Sequence, residues 1–155
     1  PRLIKAARGS RRGRITAVYT PVNGTEASDW NRAPDVIGGV GLLMLKGKPV
    51  TDWSPEKPRD GFATERHPRT VIGVARDGRV WLIAVDGRNP ARSLGMNFAE
   101  LQALAQRIGL VDALNLDGGG STTMVARGSI VNQPSDAAGP RKVSDAILVT
   151  TRGRR

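Results

Sequence analysis

Val111-Asp-Ala-Leu-Asn-Leu-Asp-Gly-Gly-Gly-Ser-Thr-Thr-Met-Val125 is the stretch around which the chain is organised. Val111 to Leu116 is apolar enough to be a buried strand, and it runs into Asp117 and three consecutive glycines, Gly118, Gly119 and Gly120. Ser121, Thr122 and Thr123 follow before Met124-Val125-Ala126 returns to strand-like residues. Glycine loses the most chain entropy on ordering, so a triple glycine between two strands weakens both. Such a loop points to backbone geometry that side chains would forbid. Successive glycine N–H groups can curl into a concave nest for an anion. The hydroxyls of Ser121, Thr122 and Thr123 add neutral donors at its far end, and Asp117 supplies a carboxylate at its mouth. The plain alternative is a glycine-rich β-hairpin, although a hairpin needs only one or two glycines.

Better-known motifs do not fit. There is no Gly-x-x-x-x-Gly-Lys-Ser/Thr and no Gly-x-Gly-x-x-Gly opening a helix. Thr123 stands where the last glycine of a nucleophile elbow belongs. Counted from Asn115 or Asp117, no glutamate arrives at the twelfth position of a calcium loop.

Working outward, Asn97 to Ile108 reads as the main helix, with Phe98, Leu101, Leu104, Ala105 and Ile108 at three- and four-residue spacing. Asn97 is a good N-cap with Glu100 three residues on, and Gly109 stops the helix. Glu100 is a tempting general acid, but the cap accounts for it. Thr70 to Arg76 and Arg79 to Val85 read as strands joined by an Asp77-Gly78 hairpin turn. The second strand is apolar on both faces, which suits a covered position, and it ends at Asp86-Gly87-Arg88. Val36 to Leu45 carries Gly38, Gly39 and Gly41, and reads as a bulged strand or strand pair turning at Lys46-Gly47-Lys48-Pro49. Residues 50–68, with Pro55, Pro58 and Pro68, form a long loop that delivers the chain to Arg69. Ile15 to Thr20 reads as a strand, residues 21–25 as a turn and 26–35 as a loop. Arg127-Gly128-Ser129 turns into Ile130-Val131, residues 132–142 are a polar loop, and Val143 to Thr150 reads as a last strand. The sum is an α+β domain, mostly antiparallel sheet with one main helix packed on it.

At 155 residues the chain is one domain by length, large enough to bury a substantial core. It has no apolar run of membrane-spanning length and no cysteine, so disulfides are excluded. It begins at Pro1, which reads as a processed or trimmed product. Nine of the ten net positive charges lie in two acid-free tails, a basic arm at 1–14 and a basic tail at 151–155. The body over 15–150 is nearly neutral. The arms suit nucleic acid, an anionic polymer or an anionic cell surface, and equally suit plain solvated ends. A sequence-specific nucleic-acid partner is disfavoured, because Tyr19, Trp30, Trp53, Phe62, Trp81 and Phe98 are scattered rather than interleaved with basic residues.

The stretch Leu114 to Val125 resembles the signature of the phosphodiester glycosidase family, whose best-known member removes N-acetylglucosamine from a mannose 6-phosphate diester. Arg69-Thr-Val-Ile-Gly-Val74, Val85-Asp-Gly-Arg88 and Gly95-Met-Asn-Phe-Ala-Glu-Leu101 resemble further family blocks. So do Val131-Asn-Gln-Pro-Ser135 and Arg141-Lys-Val143, and the series keeps the family's order across residues 36–150. Family members carry an earlier Asn-Gly-Gly-Phe-Phe-like segment, and nothing comparable precedes Val36. The expectation is therefore a portion of the family domain: a fragment, one piece of a cleaved protein that an N-terminal chain would complement, or a reduced relative.

The resemblance implies hydrolysis of a glycosyl-1-phosphodiester bond in an envelope or extracellular glycan, by a secreted or envelope protein. That reaction requires the phosphate to be held, positive charge on the sugar to be stabilised, and a proton or water to be managed. Arg69, Arg88 and Arg141 suit the first task through bidentate contacts. Thr70, Gly118, Gly119, Gly120, Ser121 and Thr122 are the remaining phosphate-binding candidates. Asp117 is the first choice for the carboxylate and Asp86 the second; a turn role is open for each. His67, the only histidine, reads as an exposed loop residue. No His/Cys cluster suggests zinc, and no cofactor is expected. A divalent ion between Asp117 and Asp86 is left open. The competing class is a non-catalytic module binding a phosphorylated or anionic polysaccharide.

Overall fold

The computed structural model describes residues 37–144 and 146–150, together with the backbone of Arg2–Lys5. The strand, turn and loop expected over 15–35 and the tail at 151–155 lie outside the described residues. Six strands form one sheet: β1 (Arg2–Lys5), β2 (Leu42–Leu45), β3 (Lys48–Pro49), β4 (Arg69–Ala75), β5 (Val80–Val85) and β6 (Leu110–Asn115). Their spatial order is β1-β5-β4-β6-β2-β3, and every neighbouring pair is antiparallel. One helix, α1 (Phe98–Arg107), packs on the sheet, and β7 (Val125–Ala126) with β8 (Ser129–Ile130) forms a separate ribbon. The fold is α+β, as the sequence predicts.

Local chemistry accounts for most of these elements. The side chain of Asn97 accepts from the N–H of Glu100 at 2.9 Å, and the Glu100 carboxylate accepts from the N–H of Asn97 at 3.0 Å. This is the reciprocal capping box that satisfies two orphan donors of the first turn. Gly109, with φ of 76°, follows the helix end. Between β2 and β3 lies a two-residue turn, Lys46-Gly47, with φ of 50° and 81°, the twist that suits a tight hairpin. Four residues, Arg76 to Arg79, separate β4 from β5, two more than predicted. Gly78 N–H donates to Ala75 O and Ala75 N–H to Arg79 O.

The core lies between α1 and one face of the sheet. Phe98, Leu101, Leu104 and Ala105 of the helix meet Leu43, Met44, Val71, Ile83, Val85 and Ala113. Phe98 is fully buried and stands edge-on to Trp53 and Phe62, with ring centroids at 5.0 and 5.5 Å. Each such side chain contributes about 1.5–3 kcal/mol by leaving water.

Two expectations are corrected. The described residues of 143–150 form no strand, and Val143, Leu148 and Val149 are exposed. A β-branched run becomes a strand only where a ladder partner meets it. The basic arm at 1–14 is not simply a tail, because Arg2–Lys5 pairs with β5, with Arg2 opposite Ala84 and Lys5 opposite Trp81. Among the described residues no helix is long and apolar enough to cross a membrane.

Candidate functional site

Antiparallel pairing collects particular chain ends. Arg69 at the start of β4 sits opposite Val85 at the end of β5, Val71 lies opposite Asn115 at the end of β6, and Leu42 at the start of β2 pairs with Leu114. The loops before β2 and β4 and those after β5 and β6 therefore meet at one end of the sheet. A cleft of about 460 Å³ opens there, lined from all four loops.

The loop after β6 forms one wall. It is not a hairpin, since β7 pairs with β8 and not with β6. Leu116 N–H donates to Thr70 O at 2.8 Å and Gly119 N–H to Pro68 O at 2.9 Å, which zips the loop onto the start of β4. A Cβ on Gly118 would stand 2.8 Å from Pro68 O, too close for any other residue. Gly119 has φ of 59°, which glycine adopts without cost. The loop differs from a three-donor nest. Gly118 N–H donates to Asp117 Oδ1, Gly119 N–H to Pro68 O, Ser121 N–H to Gly118 O and Thr122 N–H to Gly119 O. Gly120 N–H alone in this run has no partner among the described residues.

Asp117, Gly118, Gly119, Gly120, Arg69, Arg88 and Arg141 all line the cleft. Arg69 is a buried residue, not a surface one. It donates from Nε to Met96 O and from Nη2 to Phe62 O and Glu65 O, at 2.7–3.0 Å. Its guanidinium lies 4.9 Å from the ring centroids of both Phe62 and Phe98. Burial, reinforced by the nearby charge of Arg59, lowers its pKa to about 10, so it stays charged at neutral pH. Arg141 is paired with Asp136 at 2.8 Å. Arg88 has no hydrogen bond or ion pair among the described residues, and its Nη2 lies over Gly119.

The remaining candidates lie elsewhere. Thr70 Oγ1 donates to Thr122 Oγ1 at 3.3 Å, Thr122 is buried, and neither they nor Ser121 line the cleft. Asp86 faces a neighbouring pocket of about 190 Å³, which it shares with Arg88. Its Oδ1 accepts from Asn132 Nδ2 at 3.2 Å and Gln133 N–H at 2.8 Å, so it fixes the loop after β8. Asp86 and Asp117 line different pockets. Among the described residues no group of three or more His, Asp or Glu side chains gathers as metal ligands do. Glu100 pairs with Arg66, whose hydrogen bond, followed by that of Asn97 N–H, holds its carboxyl below the usual range. It does not line the cleft.

Sequence reasoning missed Arg59, His67 and Asn115, which do. Arg59 and His67 sit in the long proline-spaced loop, where no periodicity marks a side chain's direction. Asn115 was absorbed into an apolar strand, yet it is buried, gives its Nδ2 to Val40 O and Leu116 O, and leaves Oδ1 unpartnered.

Comparison with known proteins agrees with this arrangement of blocks. The family profile "phosphodiester glycosidase" matches residues 4–150. The N-acetylglucosamine-1-phosphodiester alpha-N-acetylglucosaminidase of Mus musculus is 35% identical over 94 residues, 57% of this chain and 18% of that protein. The catalytic domain of the zebrafish enzyme of that name, auto-inhibited by its pro-peptide, superposes with a TM-score of 0.55 at 30% identity. That match covers 68% of this chain and 37% of the zebrafish one. A hypothetical protein from Synechocystis superposes at 0.60 with 30% identity, over 70% of this chain and 20% of that one. The match thus spans less than a fifth of the mouse protein. With the profile running through every strand from β2 to β8 and through the glycine loop, this chain belongs to the phosphodiester glycosidase family.

Proposed function

We propose that this chain is a glycosidase-type hydrolase that cleaves glycosyl-1-phosphodiester bonds in an envelope or extracellular glycan. One observation carries the reading: Arg59, Arg69, Arg88 and Arg141 meet Asp117, the one carboxylate lining the cleft among the described residues, at a single end of the sheet. An excess of guanidinium groups suits a diester's phosphate, which arginine forks bind bidentately. Arg88 is free of any acidic partner among the described residues, and Arg141 needs only to shift from Asp136. The glycine loop lets a ligand approach the backbone closely, with Gly120 N–H as a neutral donor. Asp117 then stands where a negative charge stabilises the cationic sugar of the transition state. Phosphate is a good leaving group, so a strong general acid is not required.

The test is release of free sugar from a sugar-1-phosphate diester by the full chain, alongside binding of inorganic phosphate. Turnover that is lost in Arg88 and Asp117 variants supports the reading. Phosphate binding without turnover, when a complementing N-terminal segment is also supplied, favours the non-catalytic polysaccharide-binding module.

A further inference from the structure

The structure places the single histidine in the cleft wall, with its side chain only 19% exposed. His67 Nε2 lies 3.0 Å from Glu65 Oε2 and 3.1 Å from Arg59 Nη2. One nitrogen cannot serve both partners. An Nε2–H donates to the carboxylate, whereas a bare Nε2 accepts from the guanidinium. Nδ1 has no partner among the described residues. The Glu65 carboxyl is held below its ordinary range, chiefly by the hydrogen bond with His67 and further by the charge of Arg59. Where the Glu65 carboxylate takes the Nε2–H, Nδ1 is left bare.

The imidazole is also carried on fixed backbone. His67 exchanges backbone hydrogen bonds with Met96, at 3.4 and 3.0 Å. Pro68, the next residue, holds Gly119 through its carbonyl. His67 and Asp117 are thus mounted on two segments tied directly to one another, and both face the same cleft. A carboxylate that orients an imidazole with one bare nitrogen is the arrangement of a general base.

Resting on the function proposed above, we propose that His67 takes the proton of the attacking water, with Glu65 as its positioning residue. In this step the water oxygen bonds to the sugar's anomeric carbon, and the bond from that carbon to the phosphate oxygen breaks. Its electron pair leaves with the phosphate monoester. The water's proton passes to His67 Nδ1 and then to solvent. Asp117 faces the sugar's developing positive charge.

The experiment measures kcat and KM of the full chain for sugar release from a sugar-1-phosphate diester, and its affinity for inorganic phosphate. His67→Ala should lower kcat by roughly a hundredfold or more, with KM and phosphate affinity within about threefold. Added imidazole should restore part of that loss, which no merely structural role would allow. Glu65→Gln keeps an acceptor but loses the charge, and should lower kcat about tenfold. Native kcat in a folded His67→Ala protein, or failure of imidazole to restore activity, overturns the assignment. Loss of phosphate affinity in that variant also overturns it, making His67 a ligand-binding residue. A wild-type chain that is inactive on every diester offered, with a complementing N-terminal segment also supplied, overturns the proposed function, and this assignment with it.

Discussion

The backbone N–H of Gly119 donates to the carbonyl of Pro68 across 2.9 Å. This bond joins the glycine loop to the residue that separates His67 from Arg69. Three features of the cleft therefore share one rigid junction: the loop carrying Asp117, the imidazole and the buried guanidinium. The loop before β4 completes the junction, since the carbonyls of Phe62 and Glu65 hold the Arg69 guanidinium.

Gly119 is the sensitive point of the loop. Its φ of 59° is one that a β-branched residue avoids, and a Cβ there would stand 3.0 Å from Arg88 Nη2. Gly119→Val should cost about 1–2 kcal/mol and push Arg88 aside. Affinity for inorganic phosphate should fall about tenfold, measured by calorimetry, with the domain still folding cooperatively. Native affinity in the folded variant would place the anion away from Arg88.

Among the described residues Asp117 accepts only the N–H of Gly118, at 2.9 Å, and an asparagine Oδ1 can do the same. Asp117→Asn should leave the melting temperature unchanged and lower turnover by roughly a hundredfold or more. A variant as active as the native chain would move the carboxylate's role elsewhere.

Arg69 and Arg88 should separate cleanly. Arg69→Met strips three part-buried carbonyls of their donor and should cost about 3 kcal/mol, visible in a denaturant midpoint. Arg88→Gly removes an exposed guanidinium from a position with φ of 58°, which glycine adopts freely. Stability should hold or rise slightly, while phosphate affinity falls at least tenfold. Equal losses of stability in the two variants would contradict this division.

Glu100 bears on acid stability and not on turnover. Its folded-state pKa lies below the ordinary carboxyl range because of the Arg66 hydrogen bond first and Asn97 N–H second. A depressed carboxyl contributes stability above its unfolded pKa and loses it as pH falls through the folded one. The wild type should therefore lose stability below about pH 4.5, and Glu100→Gln should lose less over that range. The side chain is partly exposed, so the contribution is about 1 kcal/mol or less. Sugar release by Glu100→Gln should stay at the native rate.

What the sequence determined by itself is what neighbouring residues decide among themselves. The Asn97–Glu100 box, the Gly109 stop, the Lys46-Gly47 turn and the central hairpin are settled within a few positions, and each was legible. So was the glycine run, whose composition makes sense only where backbone or ligand comes close. The tertiary structure decided the rest, because it depends on which distant segments meet. Pairing of β4 with β6 sets Pro68 against Gly119 and turns an expected row of free donors into anchored ones. Convergence of four loops puts Arg59 and His67 in the cleft, though nothing local in Glu65-Arg-His-Pro68 marks them. Capture by Asn132 and Gln133 takes Asp86 into a neighbouring pocket. Val143 to Thr150 has strand composition, yet its described residues meet no ladder partner. Propensity acts over a turn or a pleat; a site at the end of a sheet is assembled by hydrogen bonds between residues tens of positions apart.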